Sequence, residues 1–88
     1  MSEVIVMKMV NGDEVIANMV NEGESYLIVD RPRVIRVEGD SGSMMPYFIS
    51  DPDRKDIAFD KIAIVANFPA SKDLSDAYTK ATSSILLG

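Results

Sequence analysis

Val4-Ile5-Val6-Met7-Lys8-Met9-Val10, then Asn11-Gly12-Asp13, then Glu14-Val15-Ile16-Ala17-Asn18-Met19-Val20: two β-like runs meet at a tight turn. Asn-Gly is the strongest short hairpin signal, because both residues tolerate the positive φ that such a turn demands. A second turn, Asn21-Glu22-Gly23-Glu24, leads into Tyr26-Leu27-Ile28-Val29. Gly23 is expected to supply its positive φ. The three runs predict an antiparallel meander.

The first run is apolar on both faces, with Val4, Val6 and Val10 on one and Ile5, Met7 and Met9 on the other. A half-exposed strand alternates with polar residues. Burial on both sides therefore implies a barrel strand also covered by another element, or one lying in a subunit contact. In the second run Val15, Ala17 and Met19 face one way, and Glu14, Ile16, Asn18 and Val20 the other.

Farther along, Asp30-Arg31-Pro32-Arg33 precedes Val34-Ile35-Arg36-Val37-Glu38. Pro32 lacks an N–H and biases Arg31 to extended geometry, which predicts a kink or an edge. Glu38 to Ser43 reads as a polar Gly/Ser loop. Met44 to Ile49 reads as a strand with Pro46 near its start, Asp51 to Arg54 as a turn, and Asp56 to Ala66 as the last β run. A phase shift around Asp60-Lys61 points to a bulge. From Pro69 the period changes: Ser71 or Asp73 can cap a helix in which Leu74, Ala77, Tyr78, Ala81 and Ile85 form one apolar stripe. The chain thus reads as one domain over 1–88, all-β, with strands over about 3–66 and a C-terminal helix over about 71–86. The expected fold is a small, strongly bent, five-stranded antiparallel barrel; an OB-fold is the alternative, although its helix usually falls between strands.

Eighty-eight residues, 47% of them hydrophobic, suffice for one modest core that gains from oligomerisation. The chain has no cysteine and no histidine, which removes disulfides, thiolate chemistry, and the usual zinc ligand and general base. The acidic start Met1-Ser2-Glu3 is unlike the basic n-region of a signal peptide, so a cytoplasmic location is expected. No apolar run approaches the roughly 20 residues that span a bilayer. A formal charge of −5 opposes non-specific nucleic-acid binding.

Arg31, Arg33 and Arg36 form the one concentrated basic cluster, a candidate RNA or anion contact set against pairing with this acidic chain's own carboxylates. Asp51, Asp53 and Asp56 lack the glycine and distal Glu of a calcium loop and read as an exposed turn. Tyr26, Tyr47 and Phe48 have apolar neighbours, which favours packing over base stacking. Lys8 and Lys61 stand alone, without the partner a catalytic lysine needs. Met7, Met9, Met19, Met44 and Met45 read as adaptable packing. No catalytic residue, metal site or cofactor is assigned.

Val10 to Met19, followed by Tyr26-Leu27-Ile28-Val29, resembles the first block of the Sm and Sm-like family: a hydrophobic position, a turn glycine, a valine, a small residue, then a large apolar one. Asn11-Gly12-Asp13, Asp30-Arg31-Pro32-Arg33 and Tyr78 look like features of the small Sm-like proteins of tailed phages, cyanophages among them. The resemblance implies an Sm/SH3-like barrel and a homomeric ring of about five to seven subunits joined by strand pairing. It further implies a binding or assembly factor working in a host cytoplasm, with another protein as a partner. The uridine pocket is not implied, since Gly23, Tyr26 and Leu27 stand where its Asp, Met and Asn belong. The Ile-Arg-Gly of the second block is replaced by Ile64-Val65-Ala66-Asn67-Phe68. RNA binding at a diverged site near Arg31, Arg33 and Arg36 is the alternative function.

Overall fold

The computed structural model describes residues 2–83. It is an antiparallel all-β fold closed by one C-terminal helix: β1 Glu3–Met9, β2 Glu14–Glu22, β3 Tyr26–Glu38, β4 Ser41–Pro46, β5 Ile57–Asp60, a 3-10 turn Lys61–Ala63, β6 Ile64–Pro69 and α1 Lys72–Ser83. The strands follow the order β4-β3-β2-β1-β6, and β5 pairs with β3. The first half of the 13-residue β3 carries β5, and its second half carries β4. The 3-10 turn then passes the chain from β5 to β6, which pairs with β1, and the sheet curls into a barrel.

Six strands replace the expected five for two local reasons. The run 56–66 is cut at Lys61–Ala63, where the Asp60 carboxylate accepts from the Ile62 N–H and caps a single 3-10 turn instead of a bulge. β4 begins at Ser41, inside the stretch read as a loop, because Gly39 at φ +60° folds the chain straight back after Glu38. The strand then stops at Pro46 instead of running on to Ile49.

The first hairpin forms as expected, but only Gly12 takes a positive φ, at +97°. Its amide donates to the Met9 carbonyl at 2.9 Å, and the Asn11 side chain accepts from the Asp13 N–H at 3.0 Å. Gly23 has a negative φ; the ring of Tyr26 lies across it, where a Cβ would collide.

Both faces of β1 are buried, for two different reasons. Ile5, Met7 and Met9 join Val15, Ala17, Leu27, Val29 and Phe59 inside the barrel. Val4 and Val6 lie on the outer face with Ile16, Ile35 and Met44, and α1 covers them with Leu74 and Tyr78. Ser71 caps that helix: its hydroxyl accepts from the Leu74 N–H at 3.2 Å. The expected continuation of the stripe to Ile85, and of the helix to residue 86, lies outside the described residues.

Candidate functional site

The functional candidates converge on the bend of β3. Asn18 of β2 pairs with Asp30 and Ile16 pairs with Arg33, so Ala17 faces both Arg31 and Pro32. This is a bulge at the proline, with Arg31 at φ +47°. On its other side β3 passes from Ile57, opposite Val29, to Pro46, opposite Arg33. The chain between, residues 47–56, leaves the sheet as an excursion.

Five bonds tie the excursion down. The Tyr47 N–H donates to the Pro32 carbonyl at 3.0 Å, and the Arg31 N–H to the Arg54 carbonyl at 2.8 Å. The Asp56 N–H donates to the Asp30 carboxylate at 2.8 Å. Arg33, 6% exposed, donates one arm of its guanidinium to the Pro52 carbonyl at 2.6 Å and the other to the Asp53 carboxylate at 2.8 Å. From the helix side, the Tyr78 hydroxyl shares its proton between the carbonyls of Asp30 and Arg31, at 2.9 and 3.0 Å. Burial raises the Tyr78 pKa above its usual value, and the Asn18 N–H and nearby Arg33 and Arg31 oppose that rise.

The arginine cluster is thereby divided. Arg33 is consumed in holding the excursion, Arg31 borders a recess with Tyr78, Thr79 and Thr82, and Arg36 is exposed beside Met45 and Ile49 on another face. Asp51 pairs with Arg54 at 3.5 Å and Asp53 with Arg33, so two of the three turn carboxylates are engaged with arginines. Lys8 is exposed, and Lys61 pairs with Glu22 at 2.9 Å. Tyr47 and Phe48 stack edge-to-face, 5.0 Å between ring centres, and both lean on Phe59 of the barrel core. Tyr26 is separate, 40% exposed over Gly23.

Among the described residues, no group of acidic side chains is placed to hold a metal, every buried side-chain N or O has a partner, and no helix is long and apolar enough to cross a membrane. The exposed apolar surface is the larger feature. β6 is exposed from Val65 onward, with Val65 at 66% and Phe68 at 52%, and Met45 of β4 is 51% exposed. Ile49, near the start of the excursion, reaches 89%. Ile35, Val37, Met44, Leu74 and Ala77 line an open groove of about 460 Å3 between α1 and the β3–β4 hairpin. No protein-family model and no curated protein matches this chain.

Proposed function

We propose that this chain is a non-enzymatic Sm-like module of phage type, whose copies join edge to edge in a homomeric ring serving as a binding or assembly factor. The observation that carries this reading is the pair of end strands. β4 and β6 close the two ends of the path, each is six residues long, and among the described residues each pairs on one side only. A strand edge bearing unpaired N–H and C=O groups beside exposed valine and phenylalanine is a template for another strand. Where the two edges differ, joining one to the other is head-to-tail, and a curved protomer closes such contacts into a ring.

Two further observations support the Sm-like reading. The bent sheet has the strand count and curvature that the resemblance implies once β4 and β5 are taken as one strand interrupted by the excursion. Two of the three features that carry the phage resemblance are joined directly, since the Tyr78 hydroxyl meets the carbonyls of Asp30 and Arg31 in the Asp30-Arg31-Pro32-Arg33 segment; the third, Asn11-Gly12-Asp13, forms the first hairpin turn. RNA binding is the weaker reading, since Arg33 is buried in an ion pair and Arg31 and Arg36 face different surfaces.

Hydrogen exchange measured across a dilution series tests the edge pairing. Amides of β4 and β6 should be protected at high concentration and should lose that protection together on dilution. Fast exchange of both edges at every concentration would refute the proposal. Added uridine-rich oligonucleotide should leave the pattern unchanged at low and moderate salt; salt-sensitive protection around Arg36 would favour the RNA reading instead.

A further inference from the structure

The turn between β1 and β2 carries the side-chain amide most open to attack by its own main chain. The sequence holds four asparagines and no glutamine, and only Asn11 is followed by glycine; Asn18, Asn21 and Asn67 precede Met19, Glu22 and Phe68. An asparagine carboxamide is attacked by the main-chain nitrogen of the next residue, and a glycine there leaves the approach uncrowded. The turn itself demands that glycine. At φ +97° any side chain would be strained, although nothing lies within 4 Å of the place a Cβ would occupy. The residue that makes the hairpin is therefore the one that leaves Asn11 labile, and both positions are exposed to water.

The reaction asks two things of these atoms. The Gly12 nitrogen must give up its proton and bond to the Asn11 Cγ, and the Asn11 Nδ2 must leave as ammonia. In the folded turn both are engaged. The Gly12 N–H donates to the Met9 carbonyl at 2.9 Å. The Asn11 Nδ2 donates to the Asp13 carboxylate at 3.1 Å, and the Asn11 Oδ1 accepts from the Asp13 N–H at 3.0 Å. The carboxamide is thus held at both ends, and the Met9 N–H, donating to the Asp13 carbonyl at 2.8 Å, closes the turn around it.

We propose that Asn11-Gly12 is a self-modification site gated by the hairpin: it deamidates through a succinimide when the turn opens, and the closed turn restrains it. In the first step the Gly12 N–Cγ bond forms, the Cγ–Nδ2 bond breaks, and the proton lost by nitrogen leaves with the departing ammonia. Water then opens the ring. Attack at the side-chain carbonyl gives aspartate; attack at the main-chain carbonyl gives isoaspartate, in which the chain runs on through the β-carbon. Either product sets a new carboxylate beside Asp13 and Glu14. Isoaspartate also adds a carbon to the main chain of the turn, whose length sets the register that places Lys8 opposite Glu14. β1 lies between β2 and β6, so a register lost at this turn is felt on both sides of the strand.

The test follows the full chain in mildly alkaline buffer, folded and in urea, with wild type and Asp13→Ala compared. Mass spectrometry of the peptides containing Asn11 and Asn21 reads the conversion of each amide to acid, and circular dichroism reads the fold. In urea, Asn11 should convert well ahead of Asn21. In the folded wild type its conversion should be slower by roughly tenfold or more, because several modest hydrogen bonds must open together. Asp13→Ala frees the Nδ2 while keeping the backbone bonds, and should convert faster than wild type when folded and at the wild-type rate in urea. A variant that fails to fold should convert at the urea rate without denaturant. Equal folded and urea rates in the wild type would overturn the gate, and an Asn11 no faster than Asn21 in urea would overturn the site. Slower conversion of Asp13→Ala would overturn the restraint, since it would make the Asp13 carboxylate a promoter of the reaction.

Discussion

Arg31 and Asp56 are the two non-glycine residues with positive φ among those described, at +47° and +57°, and both lie where β3 meets the excursion. Such a conformation costs about 1–2 kcal/mol per residue and persists only where neighbours enforce it. At Arg31 the enforcement comes from Tyr78, whose hydroxyl meets the carbonyls of the two peptide units flanking the Arg31 Cα. Removing that oxygen by Tyr78→Phe strands buried carbonyls and should lower stability by about 1–3 kcal/mol, read as a lower urea midpoint. The pH dependence has a definite sign. Burial raises the folded-state pKa of Tyr78, so its contribution is complete below the unfolded value of about 10 and is lost as pH rises through the folded value. The midpoint difference between wild type and Tyr78→Phe should therefore be constant at neutral pH and shrink in alkali; a difference that grows above pH 10 would contradict this account. Tyr78 was legible as part of an apolar helical stripe. Its hydroxyl's role was not, since the carbonyls it meets lie 47 and 48 residues away in sequence.

At the scale of elements, the excursion and β3 are coupled through a buried charge. Arg33 is satisfied only while Pro52 and Asp53 are present. Shortening the loop to remove both should destabilise the protein more than the same shortening combined with Arg33→Met, because the second chain leaves no unpaired guanidinium. Additive effects in denaturant titrations would contradict that coupling. The sequence displayed the first hairpin clearly, since Asn11, Gly12 and Asp13 make their turn from local bonds. It also displayed two-sided burial of β1, where Ile5 and Met7 alternate with Val4 and Val6. It concealed β4, whose Ser41-Gly42-Ser43 has little strand propensity of its own and is held by the opposing Arg36 to Glu38. Pairing of an arginine of the 31–36 cluster with the chain's own carboxylates was legible from the charge balance, and Arg33 makes such a pair; which carboxylate it meets was not, because Asp53 lies 20 residues away in sequence.

For the whole molecule, one surface remains unaccounted for by the fold. Helix α1 covers the outer face of β1 and β2, and the barrel interior is filled, yet β6 is left with Val65 and Phe68 in the open and β4 with Met45. A small domain that exposes apolar side chains along both end strands gains stability when copies cover one another. The bonds that hold the excursion to β3 also present Ile49 beside the β4 edge, where the proposed neighbour would lie. The most direct test is the solution mass of the unmodified protein, measured by light scattering over a wide concentration range. The account predicts a discrete multimer at a single whole-number multiple of the 9.7 kDa chain. A monomer at every concentration would contradict it and leave the barrel as a fold without the assembly.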